Sequence, residues 1–205
     1  FTMTAFNQAG ALVHIYKDGS IHLNHGGTEM GQGLYVKVAQ VLADTFQVDL
    51  DKVKITATTT AKVPNTSATA ASSGSDLNGM AAANAAGQIK ARLVAFAAEK
   101  YGVAEDAVVF EPNCVLIGNQ RFDWADFIDQ AYFGRVQLSA AGFYKTPDIH
   151  WDRAAGKGQP FFYFAYGAAC SEVVVDTLTG EYMVERVDVL HDVGRSLNPA
   201  IDIGQ

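Results

Sequence analysis

The first segment that could do chemistry is a glycine-rich stretch at residues 26–33, GGTEMGQG, between a predicted strand and a predicted helix. Glycines at such a junction let the backbone approach a ligand, and the exposed N–H groups of a helix start favour an anion. The amide of Gln32 adds a donor and an acceptor that could read the edge of a heterocycle. The Gly-Lys-Ser/Thr ending of a nucleotide P-loop is missing. An anion-binding turn and a simple helix-capping turn both remain open.

A second junction of the same kind lies at residues 69–76, TAASSGSD, before a long predicted helix. Its hydroxyl and backbone N–H groups could also receive an anion. The plainer interpretation is capping by Ser75 or Asp76, which stabilises a helix by ~1 kcal/mol. Two such junctions suggest two clamps on one phosphate-bearing ligand, although their spacing does not establish that they converge.

Other arrangements that would support catalysis are missing from the sequence. His22 and His25 fall on opposite faces of a predicted strand, and the five histidines have no metal-ligand spacing. We therefore expect all five to lie on the surface or at the edge of the core. No carboxylate pair suits acid–base work, and no Gly-x-Ser-x-Gly segment supports a serine nucleophile. The residues alone indicate an anion-binding domain without its own catalytic machinery.

The elements that must position these junctions alternate between strands and helices. Period-two alternation predicts a hairpin over 11–24 and a strand over 53–58, and apolar spacing predicts a helix of about four turns after Gly33. Small residues at 81–86 on a second helix, beginning near Asp76, predict close packing against a flat partner. Hairpins outnumber crossovers, so the predicted class is α+β, with mixed or antiparallel sheets and packed helices. Further predicted elements are strands at 108–110 and 114–117, a helix at 124–132, a surface loop at 154–158, and a hairpin joining 161–175 to 182–190.

Composition narrows the class of protein. With 205 residues, 49% of them hydrophobic and 18% charged, the chain can bury a core, and we expect one domain across 1–205. A net charge of −7 without a basic run argues against binding to nucleic acid or to an anionic membrane. Cys114 and Cys170 follow no paired pattern, so we interpret them as buried reduced thiols of a cytoplasmic protein. Because Phe1 is not an initiator methionine, we expect the chain to begin within a longer one.

Distinctive segments are spread along the whole chain: FT at 1–2, NQAGA at 7–11, GGTEMGQG at 26–33, VPNTSATAAS at 63–72, GF at 142–143, ACSEV at 169–173 and DVGRSLNPAIDIGQ at 192–205. Together they resemble the xanthine dehydrogenase/oxidase family, and they look closest to its bacterial molybdenum subunit. The resemblance implies the fold of a molybdenum-cofactor-binding domain and the hydroxylation of purine carbons, with water as the oxygen source. It also implies a molybdenum-pyranopterin (molybdopterin) cofactor with no protein ligand to the metal.

The resemblance also implies roles for particular residues. Contacts to the pyranopterin or its phosphate tail would come from Met30, Gly31 and Gln32, and hydroxyl or backbone donors from Thr69, Ser72, Ser73 and Gly74. Some relatives have Ser in place of Gly74, so its contact would be through the backbone. Gln205 would hydrogen-bond the cofactor near the metal. In the substrate site, Phe1 would lie against the purine ring, Thr2 would hydrogen-bond it, and Ala70 and Ala71 would form the floor.

The same resemblance implies which parts lie outside the chain. The family's substrate-binding Glu and Arg belong upstream of Phe1, and its catalytic Glu belongs downstream of Gln205. Iron–sulfur clusters and FAD belong to other domains or subunits of the enzyme. We therefore expect no catalytic residue in 1–205, and a chain that is inactive alone. The alternatives are a fragment of an aldehyde oxidoreductase and a non-catalytic anion-binding or structural module.

Overall fold

A computed structural model describes residues 3–197 and 199–203, and the chain divides into two compact units, 1–160 and 161–205. The helices of the first unit are α1 (Leu34–Phe46), α2 (Gly74–Tyr101) and α3 (Trp124–Phe133). Its strands are β1 (Gln8–Ile15), β2 (Ile21–His25), β3 (Val53–Ile55), β4 (Val108–Glu111), β5 (Cys114–Ile117), β6 (Gln120–Asp123), β7 (Ser139–Lys145), β8 (His150–Asp152) and β9 (Lys157–Gln159). The second unit contains β10 (Gly167–Val175), β11 (Tyr182–His191) and α4 (Pro199–Ile203). Within the described ranges, no helix is long and apolar enough to cross a membrane.

The largest sheet of the first unit has the strand order β3-β2-β1-β7. β1 pairs antiparallel with β2 and β7, and β3 adds parallel to β2. The predicted β1–β2 hairpin is confirmed, and its turn contains Gly19 at φ 81°, a conformation that favours glycine. Along β1, Val13 and Ile15 are buried while His14 is partly exposed, so one face packs against the core. The mixed sheet and its packed helices confirm the α+β class.

The long helix α2 packs on β1 and β7 through small side chains. Ala81, Ala82 and Ala85 are fully buried. On β7, a Cβ added to Gly142 would collide with the carbonyl oxygen of Ala81 and the amide nitrogen of Ala85. The predicted close approach of this helix to a flat surface is therefore confirmed, and Gly142 is the residue that permits it.

The remaining core joins α1, α3 and a second sheet of order β4-β5-β6. The rings of Phe46 on α1 and Trp124 on α3 lie 5.6 Å apart, centroid to centroid. The indole nitrogen of Trp124 donates a 2.8 Å hydrogen bond to the carbonyl of Gly19, which satisfies a buried donor. This bond fixes α3 against the β1–β2 turn, and the predicted helices α1 and α3 are both confirmed.

Several boundaries differ from the sequence-based expectation. α2 begins at Gly74 with Ser73 as its N-cap, so neither Ser75 nor Asp76 is the cap. β3 is shorter than predicted, and the expected loop at 154–158 is partly the start of β9. β6, β7 and β8 were not expected. Each of these strands forms by pairing with a neighbour, and short strands with small or polar residues carry little alternation of their own.

The second unit is built around the antiparallel β10–β11 hairpin, whose register shifts between Glu172 and Val173. Its turn is held by the Asp176 carboxylate, which accepts a 2.8 Å hydrogen bond from the backbone N–H of Leu178. The predicted hairpin is confirmed, although β10 begins at Gly167 and residues 161–166 form no strand. Both strands are exposed along their whole length, so the prediction of a buried Cys170 is wrong, while Cys114 is buried as expected.

Candidate cofactor site

Two loops of the first unit meet beside the start of α2. The first loop, residues 26–33, connects β2 to α1, and the second loop, residues 56–73, connects β3 to α2. Between them lies a pocket of about 410 Å³, here called the junction pocket. It is lined by Met30, Gln32, Leu34, Lys37, Thr69, Ala70, Ala71, Ser72, Gly74 and Ser75. The two segments identified from the sequence therefore converge, which their spacing alone could not establish.

Most of the predicted site residues lie in this lining. Gly31 stands between Met30 and Gln32 but does not line the pocket, and Ser73 lines a small neighbouring cavity instead. Phe1, Thr2 and Gln205, which were also predicted to belong to the site, fall outside the described residues. Leu34, Lys37 and Ser75 were not predicted. Leu34 and Lys37 are three residues apart on α1, so helical periodicity places them on the face that meets the pocket.

The N-terminus of α1 is already occupied by a carboxylate of the first loop. Glu29 accepts hydrogen bonds from the backbone N–H groups of Gly31, Gly33 and Tyr35, at 2.8, 3.0 and 2.9 Å. The bond from Tyr35, together with those from the two glycines, holds the pKa of Glu29 below its ordinary value. Of the two interpretations that the sequence left open for this segment, the one observed at the start of α1 is capping, because the chain provides its own anion.

The side chain of Gln32 is likewise used within the first loop. Its amide oxygen accepts a 2.6 Å hydrogen bond from the backbone N–H of Met30, and its amide nitrogen donates a 2.9 Å bond to the carbonyl of Thr28. Both ends of the amide thus bind the backbone rather than pointing free toward a ligand. Gln32 stiffens the loop that carries Met30 into the pocket.

The second loop is tied to the first through Thr69. The Thr69 hydroxyl oxygen accepts a 2.8 Å hydrogen bond from the backbone N–H of Thr28. Further along, the Ser73 hydroxyl donates to the carbonyl of Ala70 at 3.1 Å. Ala71 and Ser72 have φ values of 58° and 56°, the left-handed region that costs energy for residues other than glycine. These contacts hold the turn that leads into α2.

The start of α2 has no side-chain cap, in contrast to the start of α1. Ser73 is the N-cap, but its hydroxyl is turned back to Ala70 and makes no capping hydrogen bond. The first backbone N–H groups of any helix lack partners within the helix. Gly74 and Ser75, at this helix start, both line the junction pocket. The helix start that lines the pocket therefore belongs to α2, whose first turn also contains Asp76.

Near the two loops, Asn78 and His25 are buried polar residues, and each has one side-chain atom without a hydrogen-bond partner. Asn78 donates a 2.8 Å hydrogen bond to the carbonyl of Gly74, while its amide oxygen has no hydrogen-bond partner. This residue lines a cavity of about 10 Å³, which shares Thr69 and Gly74 with the junction pocket. A space of that size accommodates about one water molecule.

His25 is the second buried polar residue near the first loop. It is 2% exposed, so its predicted place on the surface or at the core edge is wrong. Its Nδ1 accepts a 3.1 Å hydrogen bond from the Gly27 N–H, which leaves the proton on Nε2, an atom without a partner. Burial lowers the pKa of His25 to about 4. The ring is therefore neutral at pH 7 and adds no positive charge to the site.

The lining of the junction pocket combines one positive charge with neutral hydrogen-bond donors. Lys37 contributes the one charged side chain among the residues of the junction pocket, and no carboxylate belongs to that lining. Hydroxyl groups of Ser72 and Ser75 and the start of α2 add donors. Among the described residues, no cluster of three His, Cys, Asp or Glu side chains is present that could hold a metal ion. The pocket is suited to an uncharged or anionic organic group with hydrogen-bond acceptors.

Comparison with known proteins identifies the family. The whole chain, residues 1–205, matches the molybdopterin cofactor-binding domain. It is 48% identical over 205 residues to the xanthine dehydrogenase/oxidase of Gallus gallus and 47% identical over 205 residues to the xanthine dehydrogenase of Oryza sativa subsp. japonica. Each match covers 100% of this chain and 14% of the relative. The fold is that of a cofactor-binding domain, and the chain belongs to the molybdopterin cofactor-binding domain family.

A solved structure with the same fold has a much lower sequence identity. Reconstituted CO dehydrogenase from Oligotropha carboxidovorans matches with a TM-score of 0.76 at 23% identity, covering 96% of this chain and 24% of that chain. Independently of these comparisons, the volume and the charge of the junction pocket suit a phosphate-bearing pterin. Its volume of about 410 Å³ lies within the range of roughly 300–1,000 Å³ typical of small-molecule sites, and its lining holds a cation without a repelling carboxylate.

Proposed function

We propose that this chain forms part of the molybdenum-pyranopterin site of an enzyme that oxidises xanthine or hypoxanthine with water as the oxygen source. The main support for this proposal is the junction pocket, a single cavity lined by both of the segments that we expect to bind the cofactor. Identities of 47–48% to xanthine dehydrogenases over the full chain support the substrate class. Both units of the chain, 1–160 and 161–205, would belong to one cofactor-binding domain of the larger protein.

In this proposal the residues of the site have two different roles. Backbone and hydroxyl groups would bind the pterin or its phosphate directly, while internally bonded side chains would hold the loops in place. The cofactor-binding set is Met30, Gly31, Gln32, Thr69, Ser72, Ser73, Gly74 and Gln205. Gln32, Thr69 and Ser73 would act mainly by fixing the backbone, since each makes a hydrogen bond within the loops. When bound, the cofactor supplies the redox chemistry of hydroxylation.

The substrate side of the site would be formed by small and aromatic residues. Ala70 and Ala71 line the pocket, and methyl side chains leave room for a flat heterocycle. Phe1 would lie against the purine ring and Thr2 would hydrogen-bond it. These two roles, and that of Gln205, rest on the family resemblance alone.

The rest of the enzyme would supply the missing chemistry. The chain spans 14% of the length of its xanthine dehydrogenase relatives. The catalytic Glu, the substrate-binding Glu and Arg, and the iron–sulfur and FAD domains or subunit would lie outside it. We propose a cytoplasmic enzyme that binds neither nucleic acid nor a membrane, consistent with a net charge of −7.

The test uses the full-length protein with its electron-transfer partners. Molybdenum and pterin content are measured beside dye reduction driven by xanthine and by an aldehyde. We expect stoichiometric cofactor and a kcat/KM for xanthine at least tenfold above that for the aldehyde, a difference of about 1.4 kcal/mol in transition-state binding. Ala70→Val should raise the KM for xanthine while molybdenum content stays unchanged, whereas Ala61→Val, on the exposed part of the same loop, should change neither.

Each alternative corresponds to a different result. A preference for the aldehyde would replace the purine assignment by an aldehyde oxidoreductase. A protein that takes up neither molybdenum nor pterin, when cofactor supply is verified with a known molybdenum enzyme, would overturn the proposal in favour of a non-catalytic module.

A further inference from the structure

Lys37 lies in the first turns of α1, where a positive charge does not help the helix. The N-terminal end of a helix carries partial positive charge, so a cation there is unfavourable. The residues three and four positions away on the same face are Leu34, Gly33, Gln40 and Val41, none of which is acidic. Helix stability therefore does not explain a lysine at this position.

Packing and ion pairing do not explain Lys37 either. Its side chain is partly buried at the edge of the junction pocket, and in the described part of the chain it forms no ion pair. The acidic residues nearest in sequence are Asp44, about two helical turns further along α1, and Glu29, which already accepts three backbone hydrogen bonds at the start of α1. A partly desolvated cation without an anionic partner is a charge that a ligand can complement.

The same pocket is also lined by the start of α2, whose N-cap residue Ser73 makes no side-chain hydrogen bond to the helix. Gly74 and Ser75 line the pocket there together with Ser72. A phosphate ester lying between Lys37 and this helix start would receive an ammonium donor from one side and backbone and hydroxyl donors from the other. Because the other residues of the lining are uncharged, a dianion in the pocket could form an ion pair only with Lys37.

We propose that Lys37 is the residue that pairs with the phosphate ester of the pterin cofactor, and so distinguishes the phosphorylated cofactor from its dephosphorylated form. The inference rests on the proposed function of the junction pocket as a pterin site. It assigns the recognition of the ligand's negative charge to α1, while the hydroxyl and backbone donors of the second loop bind it less selectively.

The experiment uses the full-length protein freed of cofactor and the stable, fluorescent oxidised derivative of the pterin, with and without its phosphate ester. Dissociation constants are measured by fluorescence for wild type, Lys37→Gln, Lys37→Arg and Lys54→Ala, the last removing an exposed lysine on β3 as the matched charge control. For the phosphorylated probe, Lys37→Gln should bind about tenfold more weakly than wild type, as expected for loss of a charge-assisted hydrogen bond. For the dephosphorylated probe the two should bind equally. Lys37→Arg should retain most of the preference, and Lys54→Ala all of it.

Thermal unfolding of the cofactor-free proteins accompanies the binding data, and equal midpoints for wild type and Lys37→Gln are expected because Lys37 has no ion pair to lose. The inference is overturned if Lys37→Gln weakens both probes equally, or if it leaves the preference for phosphate intact. Either result would leave the proposed function standing, provided that wild type binds the pterin. A wild-type protein that binds neither probe would instead remove the proposed function and the inference together.

Discussion

The hydroxyl of Thr69 accepts a 2.8 Å hydrogen bond from the backbone N–H of Thr28, and this bond joins two loops that are 41 residues apart in sequence. It lies at the edge of the junction pocket, which Thr69 also lines. One threonine thereby couples the glycine-rich loop before α1 to the loop before α2. The shape of the pocket depends on this coupling.

Replacing Thr69 by alanine should loosen the two loops and lower cofactor retention. Loss of one such hydrogen bond destabilises the local structure by about 1 kcal/mol. We expect the full-length Thr69→Ala enzyme to release molybdenum and pterin several-fold faster on dialysis, while Thr69→Ser stays close to wild type. Thr60→Ala, on the exposed part of the same loop, is the control. Equal retention in Thr69→Ala and wild type would show that the bond does not shape the site.

Glu29 should hold the first loop in a pH-dependent way. Its pKa is lowered in the folded protein, chiefly by the hydrogen bond from the Tyr35 N–H. A carboxylate with a depressed pKa contributes stability that is present above its unfolded value of about 4.3 and is lost as pH falls through the folded value. At pH 7, Glu29→Gln should therefore speed amide hydrogen exchange across residues 31–35 of the whole enzyme, whereas Glu105→Gln, in a separate exposed turn, should not.

The same measurement at lower pH provides the stronger test of Glu29. The difference in exchange between wild type and Glu29→Gln should narrow as pH drops below about 4. A difference that stays constant would mean that the carboxylate acts through packing rather than charge.

His25 should make the first loop less stable in mild acid. Burial lowers its pKa to about 4, below the value of about 6.5 expected in an unfolded chain. Between these two pH values the unfolded state takes up a proton that the folded state refuses, so stability is complete above pH 6.5 and declines down to about pH 4. The total effect is at most about 3 kcal/mol.

Amide exchange at residues 21–27 of the whole enzyme measures that decline. The free energy of local opening should fall between pH 7 and pH 5 in wild type and should fall less in His25→Gln, where only His22, whose pKa burial also lowers, still contributes. His150→Gln, which removes an exposed histidine, should keep the wild-type slope. Parallel slopes in all three proteins would contradict a buried, neutral His25.

Gly142 should tolerate no side chain. A Cβ at this position of β7 would collide with the backbone of Ala81 and Ala85 on α2. Gly142→Ala should destabilise the protein by about 1–3 kcal/mol, the usual cost of overpacking, and lower its thermal midpoint. Gly87→Ala, on α2 where an added Cβ meets nothing within 4 Å, should leave the midpoint unchanged or raise it. A Gly142→Ala protein as stable as wild type would show that α2 can shift away from the sheet.

The sequence predicted the longer elements and the two junctions, because hydrophobic periodicity and glycine-rich turns are local signals. It did not predict β7, whose Gly142 and small neighbours have no alternating pattern and become a strand only by pairing with β1. Nor did it predict that Glu29 would occupy the start of α1 or that Lys37 would line the pocket. Both depend on how the first loop folds back, which the spacing of residues does not specify.

The proposed function places the pterin between the first and second loops. An experimental structure of the full-length enzyme loaded with its cofactor tests it most directly. We expect pterin density within hydrogen-bond distance of both residues 30–33 and residues 69–75, with the phosphate beside Lys37. A cofactor that contacts only one of the two segments, or that lies outside the junction pocket, would contradict the claim.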